Sequence, residues 1–388
     1  MTWLTVFNLV KKALLIFCYF GLGLLALALI LATLIPLLHS DQWWIRIFDF
    51  PRIQFVVLMV FTLICYTLLR FWRGLTKGEY GLVMSVVVAL VWQLIAIAPY
   101  TVIYPKEMAD STADNGANRI SLLVYNVLYN NRDVAALRAL IQQNNPDVIL
   151  LSEPTPWWMA QLAGLEDEYP FTMRQPQDNK YGMLLYSKLE LIKPEIRFLI
   201  EPHIPSLRTR VKLRSGAKII LYGVHPRPPG LRRHDQQHAD NNASNREDSD
   251  KRDAELMVIA KEVKKNAQAP VIVAGDFNDV AWSRSTHLFQ RVGGLLDPRV
   301  GRGVFNTYDA RSRLLRYPLD HAFASEHFLL VELKRLANIG SDHFPFLIVL
   351  QYDANAAVAN DEPLIEAGDE QKADKAISKG KNTPDIKE

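Results

Sequence analysis

The distribution of apolar and polar residues divides the chain into an apolar first part and a mixed remainder. Apolar stretches nearly free of charge cover residues 13–38, 53–72 and 80–104. As a helix rising about 1.5 Å per residue, each could cross a hydrocarbon layer of about 30 Å. A cleaved signal peptide or the buried helices of a soluble domain would seldom give three such stretches. We therefore predict a membrane anchor, residues 1–104, with three transmembrane helices.

Shorter apolar runs separated by polar segments fill residues 120–351, after a polar connector at residues 105–119. Asp133 precedes an amphipathic stretch and is expected to cap it as a helix. The predicted helices are residues 134–143, 254–265 and 285–292, and the predicted strands are residues 120–125, 148–151, 183–186, 219–224, 271–274, 322–324, 329–336 and 346–350. Many strands with few helices indicate an α/β fold of two stacked sheets with helices outside.

Two polar segments lack any such pattern. Residues 232–252 contain almost no apolar side chain and are predicted to form a mobile loop. His234 and His238 within it have the spacing of helical metal ligands, but no carboxylate or cysteine frames them, so we interpret them as solvated. The charged tail, residues 352–388, is predicted to be disordered.

The positions of Lys and Arg predict the orientation in the membrane. Basic residues are more frequent at the amino terminus and in the second loop than in the first loop, which favours a cytoplasmic amino terminus. Three crossings then place everything after residue 104 on the outer side of the membrane. The residues used are Lys11, Lys12, Arg70, Arg73 and Lys77 against Arg46 and Arg52, with Trp43, Trp44, Phe71, Trp72 and Tyr104 as interfacial anchors.

Charge and cysteine content limit the partners of the polar domain. Residues 105–351 carry 32 Lys and Arg against 29 Asp and Glu. A protein that grips long nucleic acid usually has a strong basic excess, so this near balance disfavours such a partner. Both cysteines, Cys18 and Cys65, lie in apolar stretches. A polar domain without thiols suits an oxidising compartment.

Carboxylates, amides and histidines stand where the apolar runs end. Glu153 follows one predicted strand and offers the hard oxygen ligands that Mg²⁺ prefers. Gly275 allows a sharp turn after another strand, so that Asp276 and Asn278 can face one side while Phe277 turns into the core. An Asx-turn at a strand end is the structural alternative for Asp276 and Asn278, and the spacing by itself leaves the two readings nearly even.

A histidine and further polar groups complete this set. A histidine side chain ordinarily titrates near neutrality and suits proton transfer, so His343, next to Asp342, is a candidate for that role. Asp320 is a candidate to orient it. His321 is interpreted as structural, because adjacent strand residues point to opposite faces. The remaining strand-end groups are Asn126 and His225.

Taken in order, these residues resemble the endonuclease/exonuclease/phosphatase superfamily over about residues 120–351. The motifs that carry the resemblance are Asn126, Glu153, His225, Gly275-Asp276-Phe277-Asn278, Leu319-Asp320-His321 and Ser341-Asp342-His343. The resemblance implies a four-layer α/β/β/α sandwich and hydrolysis of phosphoester bonds. It also implies Glu153, Asn126 and Asp342 at a metal, Asp276, Asn278, His343, His225 and Asp320 as catalytic residues, and Mg²⁺ as cofactor, with Mn²⁺ as the alternative.

A narrower resemblance suggests the class of substrate. The segments 225–229 and 278–283, after three apolar stretches, look like a membrane-anchored bacterial branch, some members of which act on polyprenyl phosphates. Arg227, Arg316 and Trp282 are then candidates for substrate binding. With this resemblance, we predict a metal-dependent phosphoesterase of a bacterial inner membrane with its catalytic domain on the periplasmic side. We expect it to hydrolyse phosphate ester or anhydride bonds, with a polyprenyl phosphate or a phospholipid as the favoured substrate. An anchored extracytoplasmic nuclease and a non-catalytic membrane scaffold are the alternatives, and the sequence indicates no protein partner.

Overall fold

The structure is a computed structural model that describes residues 3–71, 74–112, 115–230 and 248–383. It divides into two compact units, Met1–Ala98 and Pro99–Glu388. Trp72 and Arg73, used for anchoring and orientation, lie outside the described residues, as do Arg232, Arg233, His234 and His238 of the polar segment.

The first unit is helical. Its α-helices are α1 (Trp3–Leu34), α2 (Trp43–Arg46), α3 (Arg52–Arg70) and α4 (Lys77–Ile97). Within the described residues, three segments are long and apolar enough to span a membrane: Thr5–Leu38, Arg52–Arg70 and Lys77–Tyr100. The three predicted apolar helices are therefore confirmed, although α1 begins well before residue 13.

The surface of this unit is strongly apolar. Phe17 is 77% exposed and Leu68 is 68% exposed. Side chains of this kind over a whole helical bundle would be unfavourable in water but suit the hydrocarbon of a bilayer. Several polar groups inside the unit bond to one another: Arg52 donates to Asp49 at 2.6 Å and to Gln93 at 3.0 Å. These features are what a membrane anchor requires.

The second unit contains two mixed β-sheets. In the described part of the chain each sheet has six strands, in the orders β11-β12-β1-β2-β4-β3 and β5-β6-β7-β8-β10-β9. The strands are β1 (Arg119–Asn126), β2 (Val148–Ser152), β3 (Phe171–Gln175), β4 (Met183–Ser187), β5 (Leu191–Arg197), β6 (Ser206–Lys212), β7 (Lys218–Val224), β8 (Val271–Asp276), β9 (Leu295–Leu296), β10 (Asp320–Ser325), β11 (Phe328–Arg335) and β12 (Phe346–Tyr352). The pairs β1/β2 and β7/β8 are parallel.

The helices of this unit cover both outer faces of the sheets. They are α5 (Val134–Asn144), α6 (Pro156–Gln161), α7 (Asp250–Lys265), α8 (Arg284–Gly293) and α9 (Asp369–Asn382). One buried apolar cluster lies between the two sheets, a second joins the first sheet to α5 and α6, and a third joins the second sheet to α7, α8 and α9. This arrangement is the expected four-layer α/β/β/α sandwich. Asp133 caps α5 as predicted, accepting a hydrogen bond from the backbone N–H of Ala136 at 3.1 Å.

Two predictions about polar segments are wrong where the structure describes them. The tail forms α9, because its small side chains Ala373 and Gly380 allow close packing on α7 and Asp369 pairs with Arg291. The segment 232–252 is helical from residue 250 onward, where α7 begins, and Arg252 is buried there. Further along α7, the apolar side chains Leu256, Met257 and Ile259 pack into the buried cluster on the second sheet and hold this helix in place.

Candidate active site

The alternation of side chains along the strands determines which polar groups face the space between the sheets. In β1, Leu122 and Val124 point into the core between the sheets, so Asn126 falls on the same face. In β8, Ile272 and Ala274 do the same, so Asp276 also faces inward. The paired strand β10 places Asp320 directly opposite Asp276. Three polar side chains from three strands therefore meet at one mouth of the sandwich.

Glycine is required where β8 ends. Gly275 has a φ of 142°, and a Cβ there would lie 2.0 Å from the carbonyl oxygen of Val224 on the neighbouring strand. The following turn places Asn278 at a φ of 51°, and its backbone N–H donates to Asp276 at 2.9 Å. The close approach of β7 and β8 thus holds Asp276 in place.

One amide connects two carboxylates of the mouth. The Nδ2 of Asn126 donates to Oε1 of Glu153 at 3.0 Å and to Oδ2 of Asp276 at 3.1 Å. Its Oδ1 accepts from the backbone N–H of Leu128 at 3.0 Å, which fixes the orientation of the amide. Both acids are therefore within reach of a single ion or phosphate group.

Glu153 sits on a turn with a φ of 62° immediately after β2. Its backbone N–H donates to the carbonyl of Gly182 at 3.0 Å, and a Cβ on Gly182 would lie 2.1 Å from the carbonyl oxygen of Pro154. Burial raises the pKa of Glu153 to about 7, and the nearby Asp276 and Asp342 add to this rise, while Asn126 and His343 oppose it. Asn126 and His343 therefore do not fully balance the negative charge of Glu153 and its acidic neighbours.

Asp320 and His343 form a buried pair. Oδ2 of Asp320 lies 2.7 Å from Nδ1 of His343, and Nε2 of His343 lies 3.5 Å from Oδ2 of Asp276. Burial lowers the pKa of His343, but the charges of Asp320 and Asp276 outweigh this and raise it to about 10. The imidazole is therefore positively charged at neutral pH.

His225 approaches the same carboxylate from the other side. Its Nε2 lies 3.7 Å from Oδ2 of Asp276. Burial lowers the pKa of His225; the charge of Asp276 opposes this effect, and the positive charge of His343 adds to it. Burial raises the pKa of Asp276, and Asp320 contributes to the rise. The two histidines thus differ in charge at neutral pH, with one charged and one neutral.

The remaining predicted residues are less central. Asn278 donates through Nδ2 to the carbonyl of Pro226 at 2.9 Å, at the rim. Asp342 is partly exposed and lies 3.4 Å from Arg311. The buried group with ligand atoms within 4.8 Å of one another, among the described residues, is instead Asp276, Asp320 and His343. The structure does not bring Asp342 into it.

The three residues predicted to contact substrate have different surroundings in the structure. Nε of Arg227 lies 3.0 Å from Glu201, and its guanidinium lies over the Tyr181 ring. Arg316 covers the ring of Phe344 near the mouth. Trp282 is only 4% exposed, so its burial does not support the predicted contact with substrate.

His321 is structural, as expected. Its Nε2 lies 2.9 Å from the carbonyl of Asp279, on the outer face of β10. Sequence reasoning missed Thr307, whose hydroxyl accepts from the backbone N–H of Asp320 at 3.1 Å, and Tyr308, whose ring lies 5.0 Å from that of His343. Both lie in an irregular segment with no periodic pattern, so no sequence signal marks them.

The donor set at this mouth fits a divalent cation. Glu153 offers carboxylate oxygens whose negative charge is incompletely balanced, whereas Asp320 and His343 already form an ion pair. Oδ1 of Asp320 is buried and accepts no hydrogen bond from the residues the structure describes. Hard oxygen donors of this kind suit Mg²⁺ or Mn²⁺. The oxygen of Asn126 is occupied by Leu128, so its predicted place at the metal stays a prediction.

Comparison with solved structures gives similar folds at low identity. The crystal structure of D. rerio TDP2 complexed with single strand DNA product is 18% identical, covers 60% of this chain and 99% of its own, and has a TM-score of 0.46. An endonuclease/exonuclease/phosphatase family protein from Bacteroides thetaiotaomicron is 17% identical, with 61% and 95% covered and a TM-score of 0.45. The human nocturnin catalytic domain with bound sulfate is 14% identical, with 61% and 95% covered and a TM-score of 0.45.

Comparison with curated proteins found no significant match. A family model, in contrast, matches residues 123–343, more than half of the chain and the segment that supplies every polar group of the mouth. Members of this family are divalent-metal-dependent hydrolases of phosphoester bonds, of the nuclease or phosphatase type. The chain belongs to the Endonuclease/Exonuclease/phosphatase family.

Proposed function

We propose that this chain is a membrane-anchored phosphoesterase that depends on Mg²⁺ and hydrolyses a phosphate ester or anhydride of a lipid. One observation carries the proposal: the amide of Asn126 holds Glu153 and Asp276 together beside the Asp320–His343 pair. Carboxylates for a cation and a charged imidazole for a phosphoryl oxygen are what this reaction needs.

Glu153 is the residue we expect to hold the cation, with Asn126 keeping its carboxylate oriented. When bound, Mg²⁺ neutralises charge on the phosphoryl oxygens and makes the phosphorus easier to attack. Mn²⁺ accepts the same oxygen ligands and is the alternative cation.

The chain's own residues supply proton handling and charge. Asp276 lies between the two histidines, at 3.5 Å from His343 and 3.7 Å from His225, where it can orient a water and accept its proton. A pKa of about 10 keeps His343 protonated at neutral pH, which favours a role as donor to a phosphoryl oxygen over a role as base. His225, with its lowered pKa, is the group we assign to the leaving-group side.

Two features favour a lipid substrate over nucleic acid. The first unit holds three helices apolar enough to cross a membrane, and a tether of this kind raises the concentration of a catalytic domain at lipid headgroups. Residues 105–351 are nearly neutral, whereas affinity for long nucleic acid comes largely from excess basic charge.

The test compares substrates on the purified full chain in detergent micelles. We expect phosphate release from a prenyl diphosphate or a phospholipid with Mg²⁺ and none with chelator, and we expect the Asp276→Asn variant to lose it. Asp167→Asn, at an exposed site, is the control and should retain it. Plasmid nicking without lipid turnover would replace the lipid by nucleic acid, and the absence of any metal-dependent turnover would favour the non-catalytic scaffold.

The periplasmic position of the catalytic domain needs its own test. Fusion of alkaline phosphatase after residue 112 should give an active reporter in a bacterial host, because that enzyme folds only outside the cytoplasm. The same reporter fused after Lys77 should be inactive. The opposite pattern would place the domain in the cytoplasm.

A further inference from the structure

A loop of eight residues, 309–316, projects beside the active-site mouth. Tyr308 and Tyr317 pair at its base, where the backbone N–H of Tyr308 donates to the carbonyl of Tyr317 at 2.9 Å. The loop is internally bonded: the hydroxyl of Ser312 accepts from the N–H groups of Leu314 and Leu315 at 3.2 and 2.9 Å. Its shape is therefore set by hydrogen bonds within the loop.

This loop is joined to the site by backbone hydrogen bonds. The N–H of Ala310 donates to the carbonyl of Asp342 at 2.7 Å, and the N–H of Phe344 donates to the carbonyl of Thr307 at 2.7 Å. These contacts bracket His343, whose ring lies 5.0 Å from that of Tyr308. A movement of the loop would therefore be felt at His343 and its neighbours.

The tip of the loop is apolar and exposed. Leu314 is 81% exposed and Leu315 is 52% exposed. Ser312 holds the backbone so that both side chains face outward. Adjacent leucines presented in this way are unfavourable in water, and both side chains would be stabilised by burial in an apolar environment. The tip of the loop would therefore be stabilised by contact with an apolar environment rather than water.

Arginines surround these leucines. Arg311 and Arg313 are exposed, and Arg316 is partly buried over the ring of Phe344. Arg311 pairs with Asp309 and Asp342, so Arg313 and Arg316 supply most of the unbalanced positive charge. Apolar side chains framed by arginines match an anionic membrane surface, where the leucines enter the boundary of the acyl chains and the cations meet phosphates. A nucleic-acid site would use the arginines but give the leucines no burial.

We propose that loop 309–316 is a bilayer-contact element, which seats Leu314 and Leu315 in the headgroup region of a membrane containing anionic phospholipid. The proposal rests on the membrane anchoring in the proposed function but not on the identity of the substrate. Because the loop base is bonded to Asp342 and Thr307, seating in the bilayer also positions the mouth for a substrate held in that bilayer.

The unit offers a matched control for this proposal. Leu364 is 85% exposed, as much as Leu314, but acidic residues surround it: Asp361, Glu362 and Glu366. A leucine with similar exposure and opposite surrounding charge should not enter an anionic membrane surface. Comparing Leu364 with Leu314 therefore distinguishes contact with lipid from exposure alone.

The experiment places a fluorescent label on the full chain in proteoliposomes. Cys18→Ala and Cys65→Ala give a background without cysteine, and Leu314→Cys or Leu364→Cys adds the site for the label. With phosphatidylglycerol present, spin-labelled lipid should quench the Leu314 label at least about twofold more than the Leu364 label. Quenching should weaken in vesicles of phosphatidylcholine alone and when salt is raised. Leu315→Cys provides a second site for the same measurement.

The readout requires no turnover, so failure of this proposal is distinct from failure of the proposed function. Equal quenching at Leu314 and Leu364 would overturn the bilayer contact. A Leu314 label that responds to added DNA and not to spin-labelled lipid would also overturn it and would assign the loop to nucleic acid. Loss of quenching in Arg311→Glu with Arg313→Glu, with the label at Leu314, would support the role of the arginines.

Discussion

Oδ2 of Asp320 lies 2.7 Å from Nδ1 of His343, a contact between the start of β10 and the segment before β12. The contact uses one nitrogen of the imidazole and leaves the other, Nε2, turned toward Asp276 at 3.5 Å. A carboxylate that holds a histidine in this way sets both its orientation and its charge. The positive charge of His343 at neutral pH is thus a property of the pair.

Replacing Asp320 by Asn should remove the negative charge beside His343 while keeping the hydrogen bond that orients it. The amide can still bond Nδ1, but the negative charge that raises the pKa of His343 is lost. We expect kcat to fall about 10²-fold or more. Since activity requires protonated His343, it should be lost as pH rises through the pKa of His343. That loss, near pH 10 in the parent, should move toward neutral pH in the variant. Measurement of kcat against pH checks this prediction. If the variant loses activity at the same alkaline pH as the parent, the prediction is contradicted.

Asn126→Ala tests the bridge between the two carboxylates. Without the amide, Glu153 and Asp276 lose their shared donor, so we expect a fall in kcat of about 10-fold to 100-fold and weaker activation by Mg²⁺. Activity titrated with Mg²⁺ measures both effects. Asn144→Ala, at the end of α5 where the side chain bonds Leu140, is the control and should titrate like the parent. A variant indistinguishable from that control would show that the bridge is dispensable.

The strands that could be predicted most clearly from sequence are those buried on both faces, although the edge strand β11 was predicted as well. Runs such as residues 148–151 and 271–274 are continuously apolar and end abruptly at Ser152 and Gly275, so the positions of the strand ends were clear. Strands β5 and β6 were missed, because β5 lies at the edge of its sheet and both carry charged side chains on a solvated face. α9 was missed because its buried face is made of Ala and Gly, which give little apolar signal.

The identity of the polar groups at the mouth could be inferred, but their contacts could not. Asn126 and Asp276 are separated by 150 positions, and only the packing of the two sheets decides that one amide reaches both Glu153 and Asp276. The supporting contacts of Thr307 and Tyr308 come from irregular backbone, where no period of side chains indicates a direction. The sequence therefore indicated which types of polar group lie at the mouth, whereas the packing of the sheets determines which of these groups contact one another.

Gly275→Ala should prevent the active-site mouth from forming. The added Cβ would meet the carbonyl oxygen of Val224 at 2.0 Å, so the parallel pair β7/β8 would have to separate. We expect destabilisation by more than about 4 kcal/mol, visible as loss of monodisperse protein after extraction into detergent. Gly216→Ala is the matched control: its φ is also positive, at 89°, but nothing lies within 4 Å of its Cβ. That variant should lose only about 1–2 kcal/mol, the cost of the left-handed backbone.

Glu255 should make stability depend on pH. Its side chain is buried in α7, and burial, with the nearby Glu201, raises its pKa from 4.5 to about 8. Between these two values the unfolded chain releases a proton that the folded chain keeps, so stability falls as pH rises from about 4.5 to about 8. Glu255→Gln removes this slope. The variant should match the parent near pH 5 and exceed it by about 3–4 kcal/mol near pH 8.

Thermal-unfolding midpoints of the purified full chain across this pH range check the Glu255 prediction. Glu190→Gln serves as the control, because that side chain is 47% exposed and pairs with Lys212 in solvent. It should leave the pH profile close to that of the parent. A Glu255→Gln profile parallel to the parent's at every pH would show that the carboxyl is charged in the folded protein.

Asp369 should be the residue that holds the carboxy-terminal helix on the domain. Its carboxylate is buried and accepts from Nε of Arg291 at 2.7 Å, from Nζ of Lys372 at 3.0 Å and from the backbone N–H of Glu366 at 3.0 Å. Asp369→Asn leaves Arg291 with only the more exposed Glu366, at 3.7 Å, as a counter-charge, and we expect a loss of about 1–3 kcal/mol. Asp374→Asn, in the same helix but 65% exposed and paired with Lys261, should cost less than about 1 kcal/mol. Limited proteolysis of the full chain separates the two, because α9 should be cleaved much faster in the first variant. Equal cleavage rates would mean that the small apolar face of α9 holds it in place without the buried ion pair.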